Sequence, residues 1–222
     1  MKKIISAILV LFITCPLFAQ YKKASFFGKQ GRTYELGTQV YMLGNGQGSP
    51  VGYKVGFGRD MDGKQFFSSW EIQYIPSYKY SYTTEDTYTN SSVRVDGSTR
   101  GTFIYGLNYA FFLLKNDNTE RKVKPFVFAG ISAIISGGIK SETMMPESYD
   151  VKKLTKWPEF NMGLGGGLGC LFNLNDKLGI NVQGGYSYRL TISANGNAAD
   201  EYRLFGNHLY ISTGLRLRIA TE

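Results

Sequence analysis

The sequence predicts an all-β protein, an eight-stranded antiparallel up-and-down transmembrane β-barrel. Three observations carry that expectation. Eight stretches show the period-two patterning of a strand with two distinct faces. In most of them, one face collects the Gly, Gln, Asn, Lys, Arg and Glu, and the other collects aliphatic and aromatic side chains. Short and long connections then alternate, which sorts them to opposite ends of a barrel. The 27 Gly, 16 Tyr and 15 Phe among 222 residues favour strands and tight corners over helices.

The chain opens MKKIISAILVLFITCPLFAQ. A basic start, an apolar run from Ile4 to Ile13 and a small residue at Ala19 describe a secretory signal peptide. The run is too short to cross a bilayer, which takes about 20 residues. Cys15 follows it, but Thr14 and Pro16 make a poor lipidation site. Cleavage after Ala19 leaves 203 residues and lowers the formal net charge from +8 to +6. One cysteine, Cys170, remains, so no disulfide framework is expected. Residues 20–33 are expected to form a periplasmic N-terminal segment, 34–219 the barrel and 220–222 a tail.

The first strand is expected over Tyr34–Leu43, with Tyr34, Leu36, Val40 and Met42 opposite Glu35, Gly37, Gln39 and Tyr41. The second, Val51–Arg59, sets Val51, Tyr53, Val55 and Phe57 against Gly52, Lys54, Gly56 and Gly58. Asp62-Gly63 is the hairpin signal after it. The third, Phe66–Tyr80, puts Trp70, Ile72, Tyr74, Tyr78 and Tyr80 on one face and Glu71, Gln73, Ser77 and Lys79 on the other. Pro76 forfeits a ladder hydrogen bond, so a bulge or strand end is expected there. About twenty polar residues then read as a loop. The fourth strand, Thr102–Leu114, faces Phe103, Tyr105, Leu107, Tyr109, Phe111 and Leu113 outward. The fifth, Pro125–Ser136, is apolar on both faces, and its sides stay open.

Residues 139–156 read as a mixed-charge loop. The sixth strand, Trp157–Leu174, sets Phe160, Met162, Leu164, Leu168, Cys170 and Phe172 against four alternate glycines from Gly163 to Gly169. An Asn-Asp-Lys turn leads to the seventh, Leu178–Leu190, with Ile180, Val182, Tyr186 and Tyr188 opposite Asn181, Gln183, Ser187 and Arg189. A polar loop holding Asn195-Gly196 precedes the last strand. There Leu209, Ile211, Thr213, Leu215, Leu217 and Ile219 oppose His208, Tyr210, Ser212, Gly214, Arg216 and Arg218.

Period two is common to two kinds of barrel, one apolar inside and one apolar outside. The glycine row on the sixth strand favours the second kind. It would leave a soluble barrel's outer wall bare, but it makes room in a narrow lumen. Tyr34, Trp70, Tyr78, Tyr80, Trp157 and Tyr188 sit near strand ends, as an interfacial aromatic girdle does. The polar faces then turn inward as a lumen charge network of Glu35, Lys54, Glu71, Lys79, Arg189, Arg216 and Arg218. Eight strands leave a lumen that side chains fill. Glu35 and Glu71 are therefore expected to bind Arg189, Arg216 and Arg218 as a salt-bridged plug. The closing strand is expected to pair with the first.

The stretch Gly214-Leu215-Arg216-Leu217-Arg218-Ile219 resembles the C-terminal assembly signal of Gram-negative outer-membrane barrels, with Gly214, Leu215, Leu217 and Ile219 as its elements. Ala220-Thr221-Glu222 stands where such signals often end on an aromatic residue. In architecture the mature chain is similar to the small OmpX-type and PorT-type barrels. WEIQYIPSYKY, IYGLNYAFFLL and HLYISTGLRLRI also resemble the TraO family of conjugative-element proteins. These resemblances imply an outer-membrane location, recognition by the barrel-assembly machinery, and a role either at the cell surface or in a secretion or conjugation complex.

Little suggests chemistry. His208 is the only histidine, and acid–base or nucleophilic work needs positioned partners, so no catalytic residue is assigned. No His or Cys cluster suggests a metal, and no cofactor is expected. GLGGGLG from Gly163 lacks phosphate-loop spacing and a following helix. Basic residues cluster at Lys22, Lys23, Lys29 and Arg32, at Arg121, Lys122 and Lys124, and at Lys152, Lys153 and Lys156. The compartment argues against nucleic acid. The third cluster could meet lipopolysaccharide phosphates, or be a solvated loop.

Overall fold

The computed structural model describes residues 30–44, 47–61, 65–85, 90–114, 122–145, 159–190 and 205–220. The signal-peptide reading, Asp62-Gly63, Asn195-Gly196, Trp157 and most of the basic clusters lie outside them. Among the described residues, eleven strands occur in chain order: β1 Gln30–Leu43, β2 Val51–Met61, β3 Phe66–Ile75, β4 Lys79–Glu85, β5 Ser92–Thr99, β6 Thr102–Phe112, β7 Val123–Ser136, β8 Ile139–Met145, β9 Glu159–Asn173, β10 Leu178–Leu190 and β11 His208–Ala220.

Eight of them close into an antiparallel barrel in the order β1-β11-β10-β9-β7-β6-β3-β2. β11 closes it against β1, with Glu35 directly opposite Arg216. β1 begins at Gln30, four residues before the expected start, because its ladder with β2 continues to Met61.

Directly opposed residues trace the stagger of the barrel. From Thr33 the path runs through Gly58, Ser69, Asn108, Gly130, Gly165, Ser187 and His208, and it returns to β1 at Leu43, ten residues further on. Ten residues of stagger over eight strands give a tilt of roughly 40° and a backbone radius of about 8 Å. That bore accommodates side chains and little else.

The wall is apolar outside and polar inside. Leu36 is 67 % exposed and Leu168 is 65 %, within a continuous belt that includes Val55, Ile72, Ile131, Ile211 and Leu215. A patch of that size suits lipid rather than water. Facing inward and buried are Gln39, Lys54, Glu71, Gln73, Asn181, Gln183, Arg189, Ser212 and Arg216. The strand whose sides were open resolves here. On β7, Phe126, Phe128 and Ile134 face the lumen, while Val127, Ile131 and Ile135 face outward.

The remaining strands correct the expected loops. β4, β5 and β8 form a separate three-stranded sheet at the long-connection end, in that order. β4 follows β3, β5 precedes β6 and β8 follows β7, so the sheet grows from three adjacent barrel strands. The third expected strand therefore ends at Ile75, and Pro76–Tyr78 turns the chain out of the wall. Gly138, at φ 78°, makes the corresponding turn after β7 in a conformation that favours glycine.

One face of the small sheet is apolar. Tyr80, Tyr82, Val93, Val95 and Ile139 form one buried cluster with Tyr41, Ile75, Ile104 and Ile134 of the barrel rim and with Phe205. The sheet thus folds over the mouth as a cap. Tyr78, Tyr80 and Lys79, expected in the wall, are not in it. Tyr80 is 4 % exposed in the cap core, Tyr78 packs against that core, and Lys79 is exposed on β4. The cause is the break at Pro76, which detaches everything after Ile75 from the barrel's alternation.

Candidate functional site: the closed lumen

The lumen has three layers along its axis. At the short-turn end, Phe67, Ala110, Phe112, Phe126, Phe128 and Leu171 form an apolar plug. Phe126 packs edge-on against Phe67 and Phe112, with centroids 5.4 and 6.0 Å away. Its ring lies where a side chain on Gly169 would have to go. The glycine row therefore makes room for neighbours within the wall. Gly185 does the same for the Tyr210 hydroxyl, 2.8 Å from where a Cβ would sit.

The middle layer is ionic. Lys54 Nζ lies 2.6 Å from Glu35 Oε1 and 3.9 Å from Glu71 Oε1, and Lys54 is fully buried. The Asn181 amide donates to both Glu35 oxygens at 3.1 and 3.0 Å. Gln73 donates to Glu71 Oε2 at 3.1 Å, and the Tyr41 hydroxyl donates to Gln73 Oε1. Both buried carboxylates are thus paired with Lys54 and hydrogen-bonded to lumen amides, as buried charge requires. Beside the layer, Gln39, Glu71, Asn108, Ser132, Ser187 and His208 line a cavity of about 40 Å³, enough for water.

The cation between the two glutamates is thus Lys54, rather than the arginines expected there. Arg189 sits at the cap end and donates to Asn161 Oδ1. Arg216 lies 4.8 Å over the Phe67 ring, and Arg218 lies beside Gly31. Period two places a residue on a face. It does not give the height along a tilted barrel axis, and height decides which charges meet.

The third layer is the cap core. Phe205 is fully buried at φ 53°, an unusual backbone for a bulky residue, and its ring packs 5.8 Å from Tyr41 and 6.1 Å from Tyr78. His208 is buried there too. Its Nδ1 donates to the Gly206 carbonyl at 2.9 Å, and its ring packs against Tyr41 and Phe205. That is a structural environment. Among the described residues, no group of three or more His, Cys, Asp or Glu could hold a metal.

Outside, Tyr34, Trp70 and Tyr188 face outward. Tyr53, Tyr74, Phe103 and Tyr105 join Tyr188 at the cap end of the wall. Phe57, Phe66, Tyr109 and Phe111 join Tyr34 and Trp70 at the other. Leu215, Leu217 and Ile219 face outward on β11, while Gly214 faces inward under Glu35.

Wall polarity, closure and filled lumen define a small transmembrane β-barrel. No family model and no curated protein sequence matches the chain. Solved structures do match in fold. A major outer membrane protein from Thermus thermophilus aligns at TM-score 0.55 and 12% identity, over 86% of this chain and 99% of that one. The N-terminal β-barrel domain of Pseudomonas aeruginosa OprF aligns at 0.49 and 10%, over 87% and 99%. Neisserial surface protein A aligns at 0.46 and 11%, over 86% and 97%.

Proposed function

We propose that the protein is a non-enzymatic outer-membrane barrel that acts through its cap and long connections, in surface contact or envelope maintenance. The supporting observation is the closed lumen: an apolar plug, an ion-paired layer and a capped mouth in series. Such a path offers ions no continuous aqueous route, so activity falls to the surfaces. The cap turns Lys79, Ser81, Thr83, Arg94 and Lys140 outward, a polar face suited to envelope polysaccharide, lipopolysaccharide or a partner protein. No nucleic-acid or cofactor role enters this reading. The exposed ends of β11 at Leu215, Leu217 and Ile219 would serve the barrel-assembly machinery.

Planar-bilayer recording tests the closed lumen: occasional or no current is expected, and a large steady single-channel conductance overturns it. Cells carrying a variant with the cap's outer charges neutralised (Lys79, Arg94 and Lys140 to Gln) should lose surface attachment or detergent resistance while keeping a folded barrel. The second reading is an outer-membrane component of a conjugative-transfer (TraO-like) or protein-secretion (PorT-like) machine. It is supported by the strand resemblances and by the polar turn-end rim with Arg32, Lys122 and Lys177 exposed. Adjacent transfer or secretion genes, and copurification with their products, would favour it.

A further inference from the structure

The lipid-facing wall carries one feature that the closed lumen does not explain. On β1 and β2, Arg32 and Arg59 are directly opposed, and both point outward. Arginine on a lipid face is costly in the hydrocarbon and tolerated only near the interface. Both lie at the turn end, close to the last paired residues of the ladder.

The neighbouring wall completes a groove. Ser68 stands opposite Arg59 on β3. Two residues up the strands, Tyr34, Phe57 and Trp70 form one cross-strand row. The Tyr34 and Phe57 rings meet edge-on at 5.9 Å and 83°. These six side chains line a cavity of about 220 Å³ on the outside of the barrel, more than fivefold the lumen cavity.

We propose that this groove binds an anionic phospholipid, with its phosphodiester between Arg32 and Arg59 and the start of an acyl chain along Tyr34, Phe57 and Trp70. A phosphodiester between the guanidiniums would accept two charge-assisted, fork-shaped contacts, which arginine makes better than lysine. Ser68 adds a hydroxyl donor. The aromatic row begins where the headgroup ends, so the ligand is amphiphilic and free phosphate would use only half the groove. The inference rests on the membrane-barrel reading above.

Trp70 lines the groove, so it reports occupancy. The test uses the Trp157→Phe chain, which keeps Trp70 as its single tryptophan, refolded into phosphatidylcholine vesicles. Lipid is replaced stepwise by brominated phosphatidylglycerol or brominated phosphatidylcholine. Heat-modifiable migration of the same samples reports insertion. Brominated phosphatidylglycerol should quench Trp70 at roughly fivefold lower mole fraction. Arg32→Gln/Arg59→Gln should abolish the preference, Arg32→Lys/Arg59→Lys should keep part of it, and Arg100→Gln, an exposed arginine at the opposite end, should keep all of it. Millimolar inorganic phosphate should not displace the lipid, and displacement would overturn the assignment to phospholipid. Equal quenching by both lipids in an inserted barrel overturns the site alone. A chain that does not insert overturns the membrane reading and the site with it.

Discussion

Lys54 is the residue on which the middle of the lumen depends, and Lys54→Met tests it. Methionine keeps the length and apolar stem but removes the ammonium. At an effective dielectric of about 20, contacts of 2.6 and 3.9 Å correspond to gross attractions of roughly 6 and 4 kcal/mol. The variant also avoids the cost of burying the ammonium, several kcal/mol, so the net loss is smaller. What remains is two carboxylates sharing a buried layer without a cation, the situation in which breaking a buried pair costs about 3–5 kcal/mol. Urea unfolding of vesicle-inserted protein, followed by tryptophan fluorescence and by heat-modifiable migration, measures it. The triple variant Lys54→Met/Glu35→Gln/Glu71→Gln should return to within about 1 kcal/mol of wild type, since a neutral layer has no charge to compensate. A Lys54→Met loss below about 1 kcal/mol, the size of an exposed pair, would refute the reasoning. So would a triple variant as unstable as the single.

Gly214→Ala puts a Cβ 2.6 Å from Glu35 Oε1, so the carboxylate must leave Lys54 and Asn181. A loss of about 1–3 kcal/mol in the same assay is expected, as for overpacked cores. Phe205→Ala removes a fully buried ring from the cap core, and should cost the cap about 3–5 kcal/mol. Limited proteolysis should then cut within 79–99 while the barrel stays intact, and an unchanged cutting rate would count against the cap packing. Burial, and then the Glu142 carboxylate 3.1 Å away, hold the Tyr80 hydroxyl protonated well above the ordinary tyrosine range. Its contribution to stability is therefore full below the unfolded value of about 10 and declines as pH rises above it. The cap should become protease-sensitive in that alkaline window, and Tyr80→Phe should delay the onset. Equal onset in both chains would show that Tyr80 ionisation does not open the cap.

Much of the barrel is legible in the sequence because one physical cause, the two-faced wall, writes itself into every strand. Leu36, Val55, Ile72, Leu168 and Ile211 mark the outside, and Lys54, Glu71, Asn181 and Arg189 the inside, by alternation alone. The cap is harder to see. Its strands are short and rich in Ser and Thr, and Tyr80–Tyr82, Val93–Val95 and Ile139 carry the apolar half of the pattern. Those pairs, with several β-formers among the threonines, were the available signal. Phe205 gave less, an aromatic in a non-alternating stretch (Tyr202-Arg203-Leu204-Phe205-Gly206) whose role depends on a rim assembled from distant strands. The ion pairs of the lumen were legible as residue types but not as partners. Glu35 opposes Arg216 in the register, yet its carboxylate reaches Lys54 across β2.

The order of the layers has its own logic. A carboxylate pair buried in a narrow bore would attract water if either end were open, and water would screen the Lys54 contacts that offset burial of the charges. The phenylalanine plug below and the cap core above keep that layer enclosed. The cap is therefore coupled to the lumen through Tyr41, which packs against Phe205 on one side and donates to Gln73 on the other. Gln73 in turn holds Glu71. An event on the outer face of the cap that moved Phe205 would reach the ion pairs through three side chains. The cap and the closed lumen are, in this arrangement, parts of one packed unit.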